Sequence, residues 1–118
     1  MKLMIVGSRS ITDFDLAPYI PKEIDTIISG GAQGIDRLAE QYADSHSLSK
    51  YIIRPRYDLY GRAAPLRRNE QMVDMADAIL IIWDSRSKGT QHTLKYAKSK
   101  KKLLTIIQIP KSETLDLS

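Results

Sequence analysis

Residues 26–36, TIISGGAQGID, decide how the rest of the chain is read. Thr26, Ile27 and Ile28 have strand character and end at Ser29. The loop that follows holds Gly30, Gly31 and Gly34, half of the six glycines in the 118-residue chain. Behind the loop, Ile35, Leu38, Ala39, Tyr42 and Ala43 recur at i, i+3, i+4, i+7 and i+8, one apolar stripe of helical period. A strand that turns through glycines into a helix is the first half of a βα unit. Glycine there lets the backbone approach a ligand closely, and the helix start offers unpaired N–H groups.

The same alternation runs along the whole chain. Leu3, Met4, Ile5 and Val6 end at Gly7, and Tyr51, Ile52 and Ile53 end at Arg54 and Pro55. Two longer runs follow at 78–83, AILIIW, and 103–107, LLTII. Continuous apolar runs, as opposed to alternating ones, suit strands buried on both faces of a parallel sheet. Thr12 with Asp15 resembles a capping box opening a short helix before Pro21. Residues 69–76 read as a helix with Met72, Val73 and Ala76 on one side. A further helix from Gly89 carries Leu94, Tyr96 and Ala97 and ends in Lys98, Lys100, Lys101 and Lys102, cations that suit a helix C-terminus. The expectation is an α/β fold: a Rossmann-like, doubly wound parallel sheet of about five strands and four helices in one domain over 1–109, with a loose polar tail at 110–118.

Composition narrows the class. With 42% hydrophobic residues, 118 residues suffice for one core and are too few for two. No apolar run approaches the roughly 18 residues of a membrane span, and MKLMIVG is too short for a signal-peptide core, so neither a membrane nor export is expected. The lack of cysteine suits a reducing compartment, and a cytoplasmic location is expected. His46 and His92 stand alone, so no metal site is expected. A net charge of +4 and a pI near 9.4 invite an anionic ligand.

Three strand ends carry related chemistry. Gly7, Ser8, Arg9 and Ser10 follow the first strand, residues 29–36 the second, and Asp84, Ser85, Arg86, Ser87, Lys88, Gly89 and Thr90 the fourth. In an open parallel sheet these loops share one edge, so small residues, hydroxyls and cations gather where a ligand binds. The spacing matches neither GxGxxG after the first strand nor GxxxxGK[ST], so both the dinucleotide fingerprint and the P-loop are absent. Asp36 reads equally as a first-turn acid that favours the helix dipole and as a ligand-binding or catalytic group. Arg67, Arg68 and Asn69 read as the opening of a helix, where arginine opposes the dipole, which favours a functional role. Trp83 reads as a core residue and the lysine cluster as a solvated helix end.

Together these motifs resemble the SLOG superfamily, which groups the Smf/DprA DNA-processing proteins with the Lonely Guy proteins. The carriers are Gly7-Ser8-Arg9, the 29–36 loop, Arg68-Asn69-Glu70-Gln71-Met72 with Ala76-Asp77, and Ser87-Lys88-Gly89-Thr90, with the small stand-alone YspA-like branch most similar. The resemblance spans residues 2 to about 109. It implies a Rossmann-like domain whose crevice is lined by Ser29, Gly30, Gly31, Gly34 and Asp36 and completed by Arg68, Asn69, Gly89 and Thr90. The Lonely Guy proteins cleave the N-glycosidic bond of nucleoside monophosphates and carry P-G-G-x-G-T-x-x-E. Here Gly89 and Thr90 match the G-T pair, Arg86-Ser87-Lys88 replaces the proline and glycines, and Thr93 stands at the glutamate position.

Three functions are therefore expected, in descending order. The first is a binding domain for a nucleotide or a nucleotide derivative such as an NAD or ADP-ribose compound, with no cofactor required for chemistry. Serine hydroxyls and loop N–H groups would take phosphates, Arg9, Arg68 or Lys88 would neutralise them, and Asp36 or Asp84 would accept a ribose hydroxyl. The second is a phosphoribohydrolase, disfavoured because Thr93 can supply no carboxylate to an oxocarbenium-like transition state, which leaves Asp36 and Asp84 as weak catalytic candidates. The third is a single-stranded DNA-binding protein using Arg54, Arg56, Arg62, Arg67 and Arg68 with Tyr57 and Tyr60 as stacking platforms. Residues 54–65, RPRYDLYGRAAP, read as a lid or a self-association surface, and a homo-oligomer is among the expectations.

Overall fold

The structure, a computed structural model, describes residues 1–109; the tail expected at 110–118 lies outside the described residues. Five strands form one sheet: β1 (Lys2–Gly7), β2 (Thr26–Ser29), β3 (Ser49–Ile52), β4 (Ala78–Trp83) and β5 (Leu103–Gln108). All pairings are parallel and the order is β3-β2-β1-β4-β5. Three helices of 11 or 12 residues connect them: α1 (Ile35–Ser45), α3 (Ala64–Met75) and α4 (Lys88–Ser99), with α2 (Tyr57–Tyr60) a single turn before α3.

The strand periodicity places the core. Leu3, Ile5, Ile27, Leu80 and Ile82 point to one face, where Ile35, Ala39 and Ala43 of α1 cover them. Met4, Val6, Ile28, Ile79 and Ile81 point to the other, beneath Met72 and Val73 of α3 and Ala97 of α4. Both faces are thus buried by helices, which is why β1, β2 and β4 read as unbroken apolar runs. The expectation of two-sided burial fails at β3 and β5. These are edge strands, and Tyr51 and Leu103 are exposed there.

Three local expectations are corrected. The segment after Thr12 makes only a 3-10 turn at Ala17–Tyr19, because Asp15 Oδ1 accepts from Ala17 N (3.2 Å) in place of a capping box. The helix expected at 69–76 begins at Ala64, where Pro65 sets the first turn without losing a needed donor, so Arg67, Arg68 and Asn69 lie inside α3 and do not open it. The third strand starts two residues before Tyr51 and stops at Ile52. As expected, Lys98 ends α4 in its last turn. Lys102 does more than solvate: its Nζ donates to the Ala76 carbonyl at 2.9 Å, closing the end of α3.

Candidate functional site

The strand order reverses direction at β1: the chain runs outward through β2 and β3, then returns to place β4 on the other side. Helices leave the sheet on opposite faces there and open a crevice at the carboxyl ends of the strands. The crevice has a volume of about 260 Å³ and is lined by Val6 and Gly7 at the end of β1, Arg9 after it, Ala32 and Asp36 around the start of α1, Pro65, Arg68 and Asn69 of α3, and Ser87, Gly89, Thr90 and Thr93 after β4.

The N-terminus of α4 forms one wall. Ser87 caps it, its Oγ accepting from Thr90 N at 3.2 Å and from Thr90 Oγ1 at 3.0 Å, while its carbonyl accepts from Gln91 N. The N–H groups of Lys88 and Gly89, the first two of the helix, are left for an external acceptor. Thr93, one turn further on, is buried and donates to the Gly89 carbonyl at 3.0 Å. Trp83 is half-buried, and its indole N–H donates to the Ser87 carbonyl at 3.3 Å, bracing the turn that presents Ser87.

Asp36 forms the opposite side. It is 5% exposed, and its Oδ2 accepts from Ala32 N at 3.2 Å, so the first-turn acid ties down the loop that precedes its own helix. Burial pushes its carboxyl up to about 6, against the pull of the Ala32 N–H and the Arg68 charge. Arg68 is half-buried beside it. A Cβ on Gly30 would stand 2.8 Å from Arg68 Nη1 and 2.9 Å from Asp36 Oδ2, so the glycine is the spacer that lets the two groups converge.

Several residues expected in the site lie behind it. Ser29 is fully buried, donating to Glu40 Oε2 at 2.8 Å and accepting from Gly31 N at 3.1 Å. Gly31 turns against the Arg54 side chain, which donates to its carbonyl at 3.5 Å. Gly34 has φ 74° and ψ −128°, and a Cβ there would meet the Ser8 and Arg9 carbonyl oxygens at 2.5 Å. Ser8 is buried and accepts from Asp84 N at 3.0 Å. Asp84 in turn caps Arg86 N at 2.9 Å, and that N–H above all holds its carboxyl below the ordinary range. Lys88 is exposed outside the crevice. Val6 and Pro65 were not expected in the lining; Pro65 marks a helix start, and only the longer α3 brings it there.

The 54–65 segment is α2 and a 3-10 turn, Gly61–Ala63, that feeds α3. Tyr57, Leu59 and Tyr60 are exposed on it. Arg56 is engaged by Asp58 at 2.8 Å. His92 meets Glu70 Oε2 at 2.9 Å across the α3–α4 seam, a pairing the sequence did not announce.

No protein-family model matches the chain, and no curated protein matches it in sequence. Among the described residues, no helix is long and apolar enough to cross a membrane. Among solved structures, the X-ray structure of DNA processing protein A (DprA) from Streptococcus pneumoniae superposes with a TM-score of 0.68 at 17% identity, over 89% of this chain and 49% of that one. The chain spans about half the length of that neighbour, and the likeness is one of fold: a Rossmann-like α/β domain similar in architecture to part of that structure.

Proposed function

We propose that the chain is a binding domain for a nucleotide or nucleotide derivative, held with a phosphate at the N-terminus of α4 and a ribose toward Asp36. The observation that carries this reading is the polarity of one crevice. Helix N–H groups, the Ser87 hydroxyl and Asn69 stand at the start of α4 with Arg9 also in the lining, and a buried carboxylate stands opposite. A carboxylate repels a phosphate and accepts from a hydroxyl, so the two ends of the ligand differ: one is anionic, the other donates hydrogen bonds. A ribose phosphate has both. The volume, about 260 Å³, lies just below the roughly 300–1,000 Å³ of drug-sized pockets, so one ribose phosphate unit fills it. The base, or the rest of an NAD or ADP-ribose derivative, would extend over the rim.

Among the described residues, Asp36 is the only carboxylate in the lining, and Thr93 offers a hydroxyl already committed to Gly89. Binding without bond cleavage is therefore the favoured activity. A second reading rests on the exposure of Tyr57 and Tyr60 (61% and 40%) beside Arg62: single-stranded DNA stacking along α2.

A thermal-shift panel of AMP, ADP-ribose, NAD, a cyclic nucleotide and a short single-stranded oligonucleotide tests both, with each mixture assayed for released base. A ligand at 100 times its Kd adds about 2.7 kcal/mol of stability. A rise with AMP or ADP-ribose and no free base is the expected result. A rise with the oligonucleotide alone, abolished by salt and by Tyr60→Ala, would transfer function to α2; release of base lost in Asp36→Asn would make the domain a hydrolase.

A further inference from the structure

Arg68 has the charge expected of a phosphate ligand, but its donors are largely spent on the protein. Nη1 donates to the Gly30 carbonyl at 2.6 Å and to the Ile53 carbonyl at 3.4 Å, and Nε donates to Asn69 Oδ1 at 2.8 Å. Three of the five guanidinium N–H groups thus clamp the β2–α1 loop, the end of β3 and the neighbouring side chain. We infer that Arg68 serves the crevice as a positioning residue, fixing the Asn69 amide so that its Nδ2 donors face the N-terminus of α4.

The chemistry of the pair settles the amide's orientation. An Arg Nε–H can only donate, so the oxygen of Asn69 must face it and the NH₂ group must point away. Asn69 lines the crevice, and its Nδ2 lies 4.0 Å from where a Cβ on Gly89 would stand, the same distance as Ser87 Oγ. An anion at the start of α4 would therefore meet helix N–H groups from one side and two amide donors from the other. Without the Arg68 contact the amide can turn over and present its oxygen to the same anion, which is repulsive. The inference rests on the reading that the crevice takes a phosphate-bearing ligand, but the amide geometry is measurable without one.

The test has two parts. In ¹⁵N-labelled, ligand-free protein, the Asn69 side-chain amide should give a resolved pair of resonances with cross-peaks to the α4 N-terminus, and the Arg68 Nε–H should exchange slowly. Arg68→Lys, which keeps the charge but has no Nε–H, should return the Asn69 pair to its random-coil position. A random-coil Asn69 pair in the unsubstituted protein overturns the inference whether or not any ligand binds. In the second part, AMP affinity is measured for Arg68→Lys, Asn69→Asp and the double variant. Asn69→Asp retains an acceptor for Arg68 but lacks the donors. Each single variant should lose at least tenfold, and the double variant should bind no worse than Asn69→Asp alone. Full additivity would mean that Arg68 touches the ligand itself and would overturn the positioning role. If AMP fails to bind the unsubstituted protein while the amide signature holds, the binding proposal fails and the positioning of Asn69 stands.

Discussion

Asp36→Asn should make the protein more stable at neutral pH, although it removes a charge from beside an arginine. Asp36 is 5% exposed, and burial raises its carboxyl from the ordinary 3.8 to about 6. That displacement is roughly two pH units at about 1.4 kcal/mol each, near 3 kcal/mol in all. The sign follows from proton counting. Between about pH 4 and pH 6 the folded protein keeps a proton that the unfolded chain has lost, so stability falls as pH rises through that window. Above about pH 6 the folded protein carries the whole cost of a buried carboxylate. Asp36→Asn has nothing to titrate, and its amide oxygen can still accept from Ala32 N. Urea unfolding at pH 4, 6 and 8 should therefore show the two proteins alike at the acid end. At pH 8 the variant should be ahead by up to about 3 kcal/mol, with the same m-value. Asp25, Glu70 and Asp84 have lowered values and contribute the opposite slope, but they are common to both proteins and cancel in the difference. Parallel stability profiles, or a variant less stable than the parent at pH 8, would refute the reasoning. The same substitution should weaken AMP binding if the carboxylate accepts a ribose hydroxyl. Loss of binding with gain of stability is the mark of a group retained for a site.

Gly34→Ala should cost about 3 kcal/mol or more in denaturant unfolding, since the residue combines positive φ with two carbonyl oxygens at 2.5 Å from any Cβ; a loss under 1 kcal/mol would mean the loop after β1 can yield. Ser87→Ala should cost about 1 kcal/mol through the lost cap on α4 and weaken AMP binding more than that, read by unfolding and calorimetry on the same sample. Lys102→Met should cost about 1 kcal/mol with AMP binding unchanged, because the lost hydrogen bond closes α3 at the end remote from the crevice.

The parallel α/β class and the buried central strands were legible because β1, β2 and β4 must be apolar on both sides, and α1 shows its stripe plainly. The edge strands misled for a physical reason: Tyr51 and Leu103 belong to runs as apolar as the central ones, and only strand order reveals that no second neighbour covers them. The start of α3 was hidden by reading Pro65 as the end of a loop, when proline is equally at home in a first helical turn. A capping box at Thr12 was legible as a pattern, but its acid turned back to Ala17 instead. Within the site, the converging strand ends were readable from topology. Which side chains face the crevice was not, since Ser8, Ser29 and Asp84 differ from Ser87 and Asp36 only in the neighbours the fold supplies.

That division bears on what the 29–36 loop can say about function. Its glycines answer first to packing: Gly30 leaves room for Arg68 and Asp36 to converge, and Gly34 passes against the Ser8 and Arg9 carbonyls. Ser29 holds Glu40 and the backbone of the loop itself. A chain that builds this switch point therefore needs small residues here whether or not it binds a phosphate, so the loop identifies the frame more strongly than the ligand. The ligand is to be read from groups with room in front of them: Arg9, Asp36, Asn69, Ser87 and the N–H groups of Lys88 and Gly89. Of these only Asp36 belongs to the loop. Its carboxyl sits where burial makes the frame's own stability favour a neutral residue, and that conflict between folding and charge makes it the residue whose substitution separates scaffold from site.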